Sequence, residues 1–328
     1  MTFSNRALFF FTVLLSFVVG TASAVDGQRP MTPRDLARIQ RMTTAMISPD
    51  GSTIAAVRSV PRELFDEDDG EDWTELYLID VTTGVARPFV TGEVNVGAVD
   101  WQPDSSSVSF LAERGDDEFM KLYLISKTGG EAQPIVAVDT AIAGYSWSPD
   151  GSRVAVIAQP PKTEQEVELE DRGFNQEIFE EDQRPFQVWI ADINVAGVAE
   201  TLGLEGSAVQ VRWSPDGARM AVTMAPSPLV DDRYMSQKVY VVSAATGEIE
   251  ATVDREGKLG RIGWSPDSRR LAMISAADLH DPAPQSLLVT TVSNNGVKNL
   301  TRKLEGSVTS FAWLDENALI FLADVGVR

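Results

Sequence analysis

A short turn motif recurs along this chain at nearly regular intervals, and it constrains the fold more than any other feature. Successive copies begin 54, 46, 66, 51 and 49 residues apart. Self-similarity at such a period is typical of repeat architectures, in which every copy builds one structural unit. The copies are Ile47-Ser-Pro-Asp-Gly51, Trp101-Gln-Pro-Asp104, Trp147-Ser-Pro-Asp-Gly151, Trp213-Ser-Pro-Asp-Gly217, Trp264-Ser-Pro-Asp267 and a degenerate Trp313-Leu-Asp-Glu316.

Each copy of the motif is followed by the same order of expected elements. An alternating apolar strand comes first, then a second β-rich run, then a turn such as Thr83-Gly84, and then a short fourth strand. Four strands for every stretch of roughly 50 residues, separated by Gly and Pro turns, are typical of a β-propeller blade. The sequence therefore predicts an all-β protein: a β-propeller with five full four-stranded blades and half of a sixth.

The residues of the motif have structural roles in such a fold. Proline presets φ for a tight turn, aspartate accepts backbone N–H groups across the turn, and glycine adopts positive φ. We expect the tryptophans to lie between the innermost strand and the turn, where they pack one blade against its neighbour.

The first 24 residues have the features of a targeting segment. Arg6 precedes an apolar run that is too short to span a bilayer, and Ala22-Ser23-Ala24 offers a cleavage site. We therefore predict a signal peptide at 1–24, with an uncleaved membrane anchor as the alternative, and an exported protein, periplasmic or extracellular. No later segment is apolar enough to span, so we expect no membrane span after signal cleavage.

A short segment joins the signal peptide to the repeat. Within residues 25–42, Thr32 as N-cap and Pro33 at the first helical position predict a short helix. The propeller is then expected to occupy residues 43–328.

The chain is strongly acidic, and two insertions carry much of the charge. Asp and Glu number 48 against 28 Lys and Arg, so the formal charge is −20, which argues against a nucleic-acid partner. The insertion 63–75 carries eight acids and the insertion 159–186 carries nine, as is typical of solvated loops. The segment 66–72 suggests calcium, but its glycine is out of phase with an EF-hand loop. We predict no metal and no other cofactor.

Residue types that carry catalysis are scarce. The chain has no cysteine and one histidine, His280, in an expected loop. The nucleophile motif Gly-x-Ser-x-Gly does not occur, and the nearest match, Gly144-Tyr-Ser146-Trp-Ser148, belongs to the repeat. A serine triad needs a histidine held between nucleophile and carboxylate. We therefore predict no catalytic residue here and no hydrolysis by this chain alone.

Three stretches resemble the propeller of prolyl oligopeptidase family serine peptidases, with the acylaminoacyl-peptidase and dipeptidyl-peptidase-like branches closest. They are the run from Met31-Thr-Pro-Arg-Asp-Leu36 to Arg41 with the following Ser48-Pro-Asp-Gly51, then 167–174, and then 184–190, the last two in the third blade. The resemblance covers residues 31–322. It implies a propeller followed by a C-terminal α/β-hydrolase domain, which supplies the Ser, Asp and His of the triad in that family.

The resemblance also implies a function and a candidate site. Only two strands of the sixth blade precede Arg328, so we expect a fragment without its hydrolase domain, which gates short peptide substrates for that domain. The oligomeric state is left open. The segment 177–182 is similar to the paired glutamates by which dipeptidyl peptidases hold a free N-terminus. Glu180 and Glu181 are therefore candidate substrate-binding residues, with a solvated loop as the alternative.

The main alternative function belongs to a different class. A non-catalytic TolB-type periplasmic propeller that mediates protein–protein interaction explains the signal peptide and the turn motif equally well. The long inserts, the helix before the first blade and the lack of a separate N-terminal α/β domain argue against it. A third hypothesis, a lactonase-like propeller with a central metal, requires polar ligands at inner-strand ends, and we do not expect such groups there.

Overall fold

The structure is a computed structural model that describes residues 29–326, except 64, 177, 182, 196–198, 256, 277 and 281–282. The predicted signal peptide at 1–24 lies outside the described residues. The chain begins with the short helix α1 (Pro33–Leu36), for which Thr32 is the N-cap and Pro33 occupies the first turn, as predicted. The Asp35 side chain accepts the backbone N–H of Thr32 at 2.7 Å, which completes a capping box.

Five four-stranded antiparallel sheets and one two-stranded sheet follow along the described residues, and each sheet is one blade of a β-propeller. The innermost strands are β1 (Arg41–Ile47), β5 (Gly97–Trp101), β9 (Ile142–Trp147), β13 (Ser207–Trp213), β17 (Leu259–Trp264) and β21 (Ser307–Trp313). The second strands are β2 (Thr53–Val60), β6 (Ser107–Ala112), β10 (Arg153–Ala158), β14 (Arg219–Ala225), β18 (Arg270–Ala276) and β22 (Leu319–Asp324).

The outer strands complete blades 1 to 5. The third strands are β3 (Trp73–Asp80), β7 (Lys121–Ser126), β11 (Gln187–Asp192), β15 (Lys238–Ser243) and β19 (Gln285–Thr291). The fourth strands are β4 (Ala86–Val90), β8 (Gln133–Pro134), β12 (Glu200–Thr201), β16 (Ile249–Val253) and β20 (Asn294–Asn299). Blade 6 consists of β21 paired with β22, so the predicted count of five blades and a half is confirmed.

The second strands of blades 2 to 5 are buried on both faces, unlike the alternating pattern that the sequence suggested, whereas β22 of blade 6 is largely exposed. In β10, every residue of 154–158 is at most 3% exposed. The reason is that a neighbouring blade covers each face of the sheet, so both sets of side chains meet apolar surface. The hydrophobic clusters accordingly lie between consecutive blades, and one of them contains both Val57 of blade 1 and Phe110 of blade 2.

The Ser-Pro-Asp turns between first and second strands are held by a repeated set of hydrogen bonds. In each, the buried serine hydroxyl lies 2.5–2.6 Å from the aspartate Oδ1 and accepts the first N–H of the second strand. The same Oδ1 accepts the N–H two residues further on. The turns therefore satisfy their own polar groups, as predicted for structural rather than catalytic aspartates.

Two copies of the turn have serine where the others have glycine. Ser105 and Ser268 adopt φ values of 62° and 58°, in the left-handed region that Gly51, Gly151 and Gly217 occupy in the other copies. Each of these serines uses its hydroxyl to accept a backbone N–H from the preceding turn, at 3.0 Å in both cases. The strained backbone is thus accompanied by a bond that links two neighbouring blades.

The inner-strand tryptophans also join one blade to the one before it. The indole N–H groups of Trp101, Trp264 and Trp313 donate to innermost-strand carbonyls of the preceding blades at 2.9–3.2 Å. Trp147 donates instead to the Ser109 hydroxyl at 2.9 Å. The expectation that these residues pack blade against blade is confirmed. Trp213 differs, because its buried indole N–H has no partner among the described residues.

The shared strand order places every loop between second and third strands at one end of the sheets. We call this end the insertion face and define it by the loops 61–72, 113–120, 159–186, 226–237 and 277–284. Both acidic insertions lie there, and so do α2 (Glu164–Asp171) and α3 (Val230–Met235). The Ser-Pro-Asp turns lie at the opposite end.

The contrast between two tryptophans predicts unequal costs of substitution. Trp264→Phe removes a buried hydrogen bond to the Arg212 carbonyl, whereas Trp213→Phe removes an indole N–H that has no partner. We expect Trp264→Phe to lower the free energy of unfolding by about 1–2 kcal/mol more than Trp213→Phe, measured by urea denaturation. The two substitutions remove the same atoms at similarly buried sites, so equal losses would contradict the role of this hydrogen bond.

The turn aspartates predict a dependence of stability on acid. Hydrogen bonds from the Ser148 hydroxyl and the Ser152 backbone lower the pKa of Asp150 to about 2 in the folded protein. A carboxylate with a depressed folded-state pKa stabilises the fold above its unfolded pKa of about 4 and loses that contribution as the pH falls towards 2. We expect the melting temperature of Asp150→Asn to fall less steeply over this interval than that of the unsubstituted protein.

The control for this comparison is Glu200→Gln, which removes an exposed carboxylate on β12. It should leave the slope of melting temperature against pH unchanged. Identical slopes for Asp150→Asn and the unsubstituted protein would contradict the stabilising role of the turn.

Candidate functional site

A cavity of about 740 Å³, open to solvent, lies between the innermost strands near the propeller axis. It is lined mainly by β5, β9, β13 and β17, with Met46 of β1 at one side. Several lining residues occupy equivalent places in the repeat, one or three residues before a tryptophan. The lining residues in these positions are Ala98, Asp100, Gly144, Ser146, Gln210, Arg212 and Arg261. We call this space the axial cavity.

Three charged residues line the axial cavity. Burial raises the pKa of the Asp100 carboxyl, while the hydrogen bond from the Trp101 backbone N–H at 2.8 Å and the charge of Arg212 lower it. Burial lowers the pKa of the Arg212 guanidinium, which is attracted by Asp100 and repelled by Arg261. The formal charges of these three side chains sum to +1, although the chain as a whole is acidic.

The wall of the axial cavity is held by hydrogen bonds between blades. The Gln210 amide donates to the Gly260 carbonyl at 2.9 Å, which ties β13 to β17. The Ser146 hydroxyl accepts the Trp213 backbone N–H at 3.1 Å, which ties β9 to β13. A pocket whose wall is fixed in this way is largely preformed, as is typical of small-ligand sites.

Tyr145 anchors another part of this wall. Its hydroxyl lies 2.6 Å from the Ala98 carbonyl and 3.0 Å from the Ser109 carbonyl, and burial raises its pKa. The Ser109 hydroxyl in turn accepts the indole N–H of Trp147. Blades 2 and 3 are therefore joined by a buried polar network beside the cavity.

Glu180 and Glu181, the predicted substrate-binding residues, lie on the insertion face and not among the residues that line the axial cavity. Both are exposed, and Glu180 has a φ of 64° within a turn. The backbone N–H of Glu181 donates to the Ile178 carbonyl at 3.1 Å. Glu177 and Asp182, at the ends of the same segment, lie outside the described residues. The role of the glutamate pair stays a prediction.

The other residues considered for chemistry lie apart from one another. His280 is exposed, and its Nδ1 is 3.4 Å from Asp278 on the insertion face. Ser146 is in the wall of the axial cavity, where its hydroxyl accepts a backbone N–H. Within the described ranges, no group of three or more His, Cys, Asp or Glu residues could hold a metal ion. In the same ranges, no helix has the length and apolar character needed to cross a membrane.

The charged cavity residues were missed from the sequence. Polar groups were not expected on the inner strands, yet Asp100, Gln210, Arg212 and Arg261 are there. The copies of the repeat differ from one another at these positions, and the differences are visible in the sequence. Asp100 and Arg212 are one residue before a tryptophan, where the other copies have Met46 or small residues. Arg261 is three residues before one, where the other copies have small residues or Gln210.

Comparison with known proteins identifies the fold. No protein-family model matches the chain, and no curated protein sequence matches it. An acylaminoacyl peptidase from Pyrococcus horikoshii matches with a TM-score of 0.63 at 10% identity, over 88% of this chain and 44% of that chain. The β-propeller domain of the Trilobed protease from Pyrococcus furiosus matches with a TM-score of 0.59 at 11% identity, over 88% and 79%.

A propeller of the other expected kind also matches. A putative TolB from Agrobacterium tumefaciens aligns with a TM-score of 0.53 at 15% identity, over 80% of each chain. At these identities the likeness establishes a shared β-propeller fold. The chain spans less than half the length of the Pyrococcus horikoshii peptidase. Propellers of peptidases and of TolB are therefore both structural neighbours of this chain.

Proposed function

We propose that this chain is the substrate-gating propeller of an exported serine peptidase of the prolyl oligopeptidase type, and that short peptides are its ligands. The observation that carries the proposal is the axial cavity. Its volume of about 740 Å³ lies within the range of small-ligand pockets, roughly 300–1,000 Å³. Such a space can admit a short peptide and excludes a folded protein.

The groups that line the axial cavity suit a peptide. Carboxyl, amide and guanidinium groups are all present, on Asp100, Gln210 and Arg212, and they match the charged ends and the amide groups of a peptide. The fold shared with the Pyrococcus horikoshii acylaminoacyl peptidase over 88% of the chain supports the same proposal.

Hydrolysis is assigned to a catalytic domain outside these residues. His280 is the sole histidine of the chain and lies exposed on the insertion face, while Ser146 uses its hydroxyl in a structural hydrogen bond. A triad needs the histidine within hydrogen-bond reach of the nucleophile. Export follows from the predicted signal peptide at 1–24 and is part of the proposal.

One observation favours the alternative of a TolB-type interaction protein. Phe65 is 92% exposed and Phe179 is 86% exposed, each in one of the two acidic insertions. Exposed aromatic side chains next to charged groups are frequent in protein–protein interfaces. In this alternative a folded partner binds the insertion face and the axial cavity has no ligand.

Binding measurements distinguish the two functions. We expect Ala-Ala-Ala to bind the purified chain in a ligand-observed NMR titration, and longer flexible peptides to compete with it. The TolB-type alternative predicts that short peptides do not bind and that a folded periplasmic protein forms a stable complex on size-exclusion chromatography. That pair of results would contradict the gating function.

The glutamate pair provides a second test, which concerns the amino end of the peptide. If Glu180 and Glu181 hold the ammonium group, the variant Glu180→Gln/Glu181→Gln should bind Ala-Ala-Ala several-fold more weakly, by the loss of charged contacts of about 1 kcal/mol each. Binding of N-acetylated Ala-Ala-Ala should not change. The matched control Glu164→Gln/Glu168→Gln removes two exposed carboxylates of α2 in the same insertion. Equal effects of the two double variants would reject the assignment.

A further inference from the structure

Arg212 and Arg261 line the axial cavity, where the charge of Asp100 attracts Arg212. Arg212 on β13 donates from Nη1 to the neighbouring Val211 carbonyl at 3.1 Å. The guanidinium of Arg261 on β17 lies 5.6 Å from the centre of the Phe311 ring. Among the described residues, neither makes a direct ion pair with a carboxylate. The chain has 48 acids for 28 Lys and Arg, so this lack of direct ion pairs is not due to a shortage of carboxylates.

The fold holds these two like charges near each other. β13 and β17 are neighbouring innermost strands, tied by the bond from Gln210 to the Gly260 carbonyl and by the bond from the Trp264 indole to the Arg212 carbonyl. Both arginines line the axial cavity and are exposed to it. Their positive charges repel each other. An anion bound between them would relieve this repulsion.

We propose that Arg212 and Arg261 form a binding site for a carboxylate group in the axial cavity. Guanidinium groups present paired N–H donors that match the two oxygens of a carboxylate. With Asp100 at the same cavity, the three charged side chains sum to +1, which suits a monoanion better than a doubly charged phosphate. The carboxylate belongs to the C-terminus of a short peptide or to a small free acid. Only the peptide source depends on the proposed function.

The site is tested by removing the two positive charges. Titrations followed by ligand-observed NMR compare acetate, Ala-Ala-Ala and the C-terminal amide of Ala-Ala-Ala. For Arg212→Gln/Arg261→Gln, we expect the affinity for acetate and for the free tripeptide to fall about tenfold or more, because charged hydrogen bonds are lost. The C-terminal amide lacks the carboxylate, so it should bind the unsubstituted protein weakly. Its affinity should equal that of free Ala-Ala-Ala for Arg212→Gln/Arg261→Gln.

The matched control is Arg269→Gln/Arg302→Gln, which changes the net charge equally at two exposed arginines that do not line the cavity. Its affinity for acetate should equal that of the unsubstituted protein. The variant Asp100→Asn tests the site even if Arg212→Gln/Arg261→Gln does not fold, because it should change the affinity for acetate in the opposite direction. Removal of the nearby negative charge should raise the affinity for acetate about two- to tenfold.

Each outcome separates this site from the proposed function. Tripeptide binding that is unaffected by loss of both arginines would overturn the site and leave peptide gating standing. Acetate binding that depends on the arginines, without binding of peptides, would support the site for a free acid and contradict the gating function. Tighter binding of inorganic phosphate than of acetate, or weaker acetate binding by Asp100→Asn, would overturn the assignment to a carboxylate.

Discussion

The contact between each inner-strand tryptophan and the blade before it is the interaction on which the rest of the structure depends. A single antiparallel sheet cannot bury both of its faces, so each blade is stable only when a neighbour covers it. The indoles of Trp101, Trp264 and Trp313 fix how far one inner strand lies from the next, because each bonds a particular backbone carbonyl of the preceding blade. The buried second strands, such as β10, follow from this arrangement.

The same spacing produces the axial cavity. Once the inner strands are fixed side by side, residues one and three positions before Trp101, Trp147 and Trp213, together with Arg261, line a common space. The repeat places small residues such as Ala98 and Gly144 there, and these leave room. The departures from the repeat, at Asp100, Arg212 and Arg261, supply the charge. The residues that the blades have in common therefore determine the fold. The residues at which the blades differ determine the chemistry of the axial cavity.

Much of this architecture could be predicted from the sequence, because local residues determine it. The turn motif, the tryptophan positions, the Thr32 cap and the number of blades all rest on contacts within a few residues or on the repeat itself. The full burial of β6, β10, β14 and β18 depends on neighbouring blades and was not predicted. The two-residue length of β8 and β12 was not predicted either. The axial charges were missed because an isolated charged residue on a strand does not show whether it meets bulk solvent or a shared cavity. Where Glu180 and Glu181 lie relative to the axial cavity likewise depends on the tertiary fold of the long insertion.

A crystal structure of the chain grown with Ala-Ala-Ala would test the central claim most directly, since it shows both the ring of blades and the position of the ligand. We expect the peptide in the axial cavity, with its carboxylate between the guanidinium groups of Arg212 and Arg261. A peptide bound only on the insertion face, and absent from the axial cavity, would contradict the peptide-binding role of that cavity.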